Sequence, residues 1–217
     1  MNLVFHDIIP YIPQLLSGLA VSLYVTVICM LAGTVLGLFV ALCKSSKNVI
    51  LRFIGNTYIE LIRNTPLIVQ LYILFFGLGQ LGIDISPLLS ALIGITINNG
   101  AYTAEIFRAG LSSVPKGLNE AGSALGMNKA QIFRHVILAP AFRTVFPALT
   151  NQLILLFLFS SVASIISLEE LMYQVMNVET QTARTLEVTL IAAVLYYGSS
   201  SIFILLSNAL AKKVFKW

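Results

Sequence analysis

Charge is scarce in this chain: Lys, Arg, Asp and Glu make up 10% of 217 residues, against the roughly 25% usual for a soluble globular protein. Hydrophobic residues make up 58%, so the solvent for most of the surface is lipid. Cysteine is nearly absent. Cys29 and Cys43 have neither CxxC spacing nor a partner His and read as ordinary apolar packing. His6 and His135 lie far apart, and no HExxH or paired-Cys ligand set exists, so no metal site is assigned. A nucleophile elbow and a GxxxxGKS/T phosphate loop are both missing, so neither catalysis nor ATP binding is expected of this chain. No basic stripe with interleaved aromatics is found, which removes nucleic acid as a partner.

What the chain does have is long apolar runs. Five intervals carry no charge, 8–43, 64–83, 85–104, 144–168 and 188–211, and each reaches the roughly 20 residues that a helix needs to cross the hydrocarbon core. Continuous runs rather than ten-residue alternations exclude barrel strands. The expected fold is an all-α integral membrane protein, one domain over 1–217, with five transmembrane helices near 14–43, 57–82, 86–109, 141–167 and 187–211.

The net charge of +4 reports orientation. Lys44, Lys47 and Arg52 follow the first span, Arg108, Lys116, Lys129, Arg134 and Arg143 follow the third, and Lys212, Lys213 and Lys216 follow the fifth. These are cytoplasmic faces by the positive-inside rule. Asp84, Glu169, Glu170 and Glu179, balanced by Arg184 alone, mark the outer face. The N-terminus is thus expected outside and the C-terminus in the cytoplasm, with a cytoplasmic loop over about 110–140. Residues 1–13 lack a basic n-region, carry Asp7 and are broken by Pro10 and Pro13, so they read as a surface-lying segment rather than a cleaved signal. An odd number of spans argues against two equal inverted halves, and five helices are barely enough to enclose a solute path, so a pore at a dimer interface is expected.

Polar groups at membrane depth are the candidates for that path: Thr65, Gln70, Asn98, Asn99, Tyr102, Ser160, Ser161 and Ser164. Each offers a hydrogen-bonding group without permanent charge, although Ser and Thr in membrane helices often bond back to their own helix. Pro66 removes a backbone donor, and two readings are open, a packing kink or a functional break. Glu60 and Arg63, like Glu105 and Arg108, are three residues apart. Both pairs are expected to neutralise themselves on one helix face as structural boundary pairs rather than ligand contacts.

Between Arg108 and Arg143, Val114-Pro115-Lys116-Gly117 leads into a short helical stretch with Leu118, Ala121 and Leu125 on one face and small residues at Gly122 and Gly126. On residue pattern alone this is either a solvated connector or a docking element. From Gly117 to Pro140, however, Glu120-Ala121-Gly122, Gly126 and the apolar Val136-Ile137-Leu138 ahead of Pro140 resemble the EAA loop of binding-protein-dependent ABC importer permeases. Arg63-Asn64-Thr65-Pro66-Leu67 and Ala101-Tyr102-Thr103-Ala104-Glu105 with Arg108 resemble segments of the polar amino acid subfamily. The resemblance implies a type I ABC importer-like permease in the cell inner membrane, paired with an identical or homologous permease. It further implies two cytoplasmic ATPase subunits that bind ATP and magnesium, an external solute-binding protein and amino-acid-like cargo. Glu120, Ala121, Gly122, Leu125 and Gly126 would couple the permease to the ATPase, and the outer acidic stretch 169–187 would receive the binding protein. The chain departs from the pattern at Gly122 in place of the third Ala, at Leu118 in place of a common Gln, and at Pro140, which falls one residue late. Leu158 stands where the family's Lys-x-Thr-Ser-Leu segment has lysine. The rival reading is a secondary transporter or channel for a small polar solute. It would need a carboxylate near mid-span, which the uncharged intervals do not supply.

Overall fold

A computed structural model describes residues 3–214; Lys216 and the first two residues of the expected surface segment lie outside them. No strand occurs among the described residues. A 3₁₀ turn, Phe5–Tyr11, carrying Pro10, runs directly into helix α1, Ile12–Lys44. Asn48 then caps α2, Val49–Arg63, by accepting from the Ile50 and Leu51 amides. Helix α3, Leu67–Gln80, follows a bend of 102°. Ser86, accepting from the Leu89 amide, and Pro87 at the first position start α4, Pro87–Ser112. Helix α5, Lys116–Ala124, is short. The long α6, Lys129–Ile166, is followed by α7, Leu171–Thr182, and α8, Thr185–Val214.

By length and composition, the continuous Phe5–Lys44 helix, α6 and α8 could each cross a bilayer, and the bent α2–α3 pair would make a fourth span. The segment expected near 57–82 is therefore no single straight helix. Pro66 has no amide hydrogen to continue α2, and the chain turns at Asn64-Thr65. The 26-residue α4 is long enough for the expected third span but less apolar. Its Ser90, Asn98, Asn99 and Thr103 are buried, so its polarity faces protein.

The packing axis is α1 against α4. Gly33 and Gly37 are four apart on α1, and a Cβ at Gly37 would run into Thr103 Oγ1 and the α4 backbone, while one at Gly33 would strike the Asn99 side chain. Small residues at this spacing let two membrane helices approach closely enough for polar side chains to reach across. Thr103 Oγ1 donates to the Gly33 carbonyl at 2.9 Å and Asn99 Nδ2 to the Cys29 carbonyl at 3.2 Å. Cys29 is fully buried in a cluster with Val25, Leu71, Ala91 and Ile95, consistent with apolar packing.

At the other end of the molecule Glu170 is fully buried. It caps α7 through the Tyr173 amide at 2.9 Å and accepts from Ser22 Oγ at 3.1 Å and Tyr196 Oη at 3.2 Å, tying α1, α7 and α8 together. Glu187 is buried too, accepting from the Val4 amide at 3.0 Å. The acidic stretch 169–187 thus presents fewer acids for docking than its composition indicates. Two of them hold the fold, because a buried carboxylate must be hydrogen-bonded.

Replacing Gly37 by Val forces α1 away from α4, and thermal denaturation in detergent should read a loss of about 1–3 kcal/mol. Burial raises the Glu170 carboxyl above its ordinary range, outweighing the hydrogen bonds that favour its charged form. A raised acid contributes stability that is present below the ordinary carboxylate range and is lost as pH rises through the folded-state value. Glu170→Gln should therefore flatten the fall in melting temperature over that rising interval; an unchanged slope would contradict the assignment.

Candidate functional site

The 102° break between α2 and α3 is closed by the Gln70 side chain together with a weak 3.4 Å bond from the Thr65 amide to the Ile62 carbonyl. In an α-helix the Ile62 carbonyl would accept from the amide of residue 66, which is Pro66 and has none. Gln70 Nε2 takes that place, donating to the Ile62 and Thr65 carbonyls at 2.9 Å each. Gln70 Oε1 in turn accepts from Asn98 Nδ2 at 3.2 Å. Gln70 was expected to line a solute path. It is buried, and both ends of its amide are occupied by the protein. Asn99, likewise fully buried, accepts from Gln152 Nε2 at 3.0 Å, linking α4 to α6. These two candidates hold the helices in register rather than facing solute.

Two clefts flank this seam. One, of about 510 Å³, is lined by Thr65, Pro66, Asn98, Tyr102, Phe159 and Val162 among others. The second, of about 420 Å³, is lined by Tyr102, Glu105, Arg108, Thr144, Asn151 and Gln152 among others. Thr65, Asn98 and Tyr102 thus line the first cleft, although Thr65 Oγ1 also bonds back to the Leu61 carbonyl at 2.7 Å. The serines do not. Ser160, Ser161 and Ser164 donate to the Phe157, Leu158 and Ser161 carbonyls at 2.7 Å each. They sit in or next to a 3₁₀ turn whose tight geometry puts each hydroxyl beside the carbonyl three residues back, and Phe159, Val162 and Ile165 form the wall instead.

Of the two expected ion pairs one is present. Glu105 is held between Arg108 at 2.8 Å and Lys44 Nζ at 2.6 Å, so the pair extends into a bridge to the end of α1. Glu60 and Arg63 form no ion pair among the described residues. The Arg63 guanidinium lies instead over the Tyr102 ring, 5.2 Å from its centroid.

The cytoplasmic-loop candidates form α5 and its cap. Gly126, at φ 74°, ends the helix, its amide donating to the Ser123 carbonyl and the next amide, of Met127, to that of Gly122. Glu120, Ala121 and Leu125 are exposed, Leu125 at 80%. Gly122 differs from expectation. It faces inward, and a Cβ there would come within 2.9 Å of Ile132, so its small size lets α5 lie on α6. Just beyond, Ile132–Ile137 is a π-helix. The wider i→i+5 turn of this stretch ends three residues before Pro140.

Comparison with known proteins fits this arrangement. The family described as "Binding-protein-dependent transport system inner membrane component" matches residues 33–216. The chain belongs to this family. This inner membrane component is 35% identical over 215 residues to the arginine transport system permease protein ArtQ of Bacillus subtilis (strain 168), covering 99% of this chain and 98% of the relative. A solved amino acid ABC transporter, crystallised with histidines, superposes with a TM-score of 0.93 at 35% identity, over 98% of this chain and 100% of that one. The inward-facing methionine transporter MetNI shares the fold, with a TM-score of 0.78 at 23% identity over 95% of this chain and 98% of that one.

Lys44 was legible as an orientation charge but not as the partner of Glu105, and Gln152 and the Gly33-x-x-x-Gly37 spacing carried no expectation; the glycine spacing was the one readable signal among them. Replacing Gln70 by Leu leaves the Ile62 and Thr65 carbonyls without their side-chain donor. The expected loss is about 1–3 kcal/mol, read as a lower melting temperature of the purified permease. An unchanged melting temperature would contradict the assigned role.

Proposed function

We propose that this chain is the permease subunit of an ATP-driven importer for amino acids or amino-acid-like solutes. It works as a dimer with itself or a homologous permease, and the path runs at the interface. In this reading the chain has five spans, with α4 as the third, the N-terminus outside and α5 in the cytoplasm, and the distribution of Lys and Arg supports it. Two ATPase subunits bind ATP and magnesium and grip α5, while an external receptor delivers the cargo.

The observation that carries this reading is α5 itself. A nine-residue helix with Glu120 and Leu125 turned to solvent has no reason of its own to be folded so tightly. Yet Pro115 begins it, Gly126 ends it and Gly122 seats it on Ile132 at the base of α6. Force applied at Leu125 therefore passes through the Gly122–Ile132 contact into α6, whose Gln152 bonds Asn99 of α4. That chain of contacts suits a lever. A secondary transporter would need a buried carboxylate at mid-span, whereas the buried Glu170 and Glu187 stand at helix starts.

Leu125→Asp should abolish co-purification of the ATPase subunits while the permease still folds. Gly126→Val, which forces a β-branched residue into the left-handed region, should weaken it through strain of about 1–2 kcal/mol. Retention of ATPase by L125D at wild-type stoichiometry would refute the docking role.

A further inference from the structure

Resting on the amino-acid reading above, we propose that Arg63 is the carboxylate-recognition residue of the translocation path, serving both clefts in turn. Arg63 and Tyr102 line both the 510 Å³ cleft beside Pro66 and the 420 Å³ cleft beside Glu105 and Arg108. Arg63 stands at the end of α2, where the chain bends at the edge of the uncharged interval 64–83, and an ion beside so apolar a run is costly without a partner. Its protein partner is a neutral ring, the face of Tyr102. The nearest acid in sequence, Glu60, makes no ion pair with it among the described residues. The acid in the cleft wall, Glu105, is already held by Lys44 and Arg108.

The cleft walls therefore carry two guanidinium groups against one carboxylate that is itself engaged. A solute anion completes that balance. A guanidinium presents paired N–H donors that match a carboxylate, and stacking on an aromatic face limits its motion without consuming those donors. Asn98, which spends its Nδ2 on Gln70 and whose Oδ1 accepts from no donor among the described residues, lines the first cleft and supplies an acceptor for the α-ammonium. The apolar Phe159, Val162 and Ile165 remain for the side chain. Because one cation borders both spaces, a solute passing between them keeps its carboxylate paired throughout.

The test uses the complete permease–ATPase complex in nanodiscs without the external receptor, whose own selectivity would mask the effect. L-[³H]arginine and L-[³H]glutamine are bound to saturation, then competed with the free amino acid or its α-carboxamide. In the wild type the amide should compete roughly tenfold or more less well than the acid. In Arg63→Gln, binding of the acid should weaken by a similar factor and the acid/amide difference should vanish, with Arg63→Lys restoring part of it. Wild-type affinity in R63Q, or an equal loss for acid and amide, would overturn the proposal and leave the permease reading standing. Failure of the wild-type complex to bind either labelled amino acid would overturn the cargo reading, and this inference with it.

Discussion

A membrane helix cannot leave a backbone carbonyl without a donor, and the break at Pro66 creates that problem in the middle of the molecule. Gln70 supplies the shorter donors, reaching two carbonyls at 2.9 Å beside the 3.4 Å bond from the Thr65 amide to the Ile62 carbonyl, and Asn98 holds Gln70 in place. The sharp turn between α2 and α3 depends on this pair. So does the cleft that opens beside it, since Thr65, Pro66 and Asn98 are among its walls. Without the amide network the bend would have to straighten or fill with water.

The same residue type serves the neighbouring contact. Asn99 and Thr103 reach the α1 backbone only because Gly33 and Gly37 keep that face clear, and Gln152 extends the network into α6. Helix α4 is consequently polar where it is buried and is the element that α1, α3 and α6 share. Two contacts lie between α5 and α4: Gly122 against Ile132 at the base of α6, and Gln152 of α6 bonded to Asn99. Polar packing thus connects a helix exposed at one end with clefts at the other.

Much of this was legible from sequence, for physical reasons. Apolar runs announced membrane helices, and Glu120 through Pro140 carried the family signal. Asn98-Asn99 were legible as interior because amides facing lipid would be unsatisfied. What remained hidden was which polar atom each side chain would meet. Composition cannot distinguish Gln70 facing solute from Gln70 capping a break, nor a serine lining a cleft from one bonded to its own turn. Spacing alone paired Arg63 with Glu60; the Tyr102 face, 39 residues away in sequence, was the stronger competitor. The acids of 169–187 looked like a surface, and Glu170 proved to be a buried cap. Long-range partners decided each of these, and no local pattern encodes them.

The proposed drive for solute movement through this chain lies outside it, in nucleotide hydrolysis transmitted through α5. Vesicles containing the permease alone and vesicles containing permease, ATPase and receptor should be compared for accumulation of labelled amino acid with and without internal ATP. Accumulation is expected only in the complete system and only with ATP. Equal uptake by the permease alone, indifferent to ATP, would contradict it.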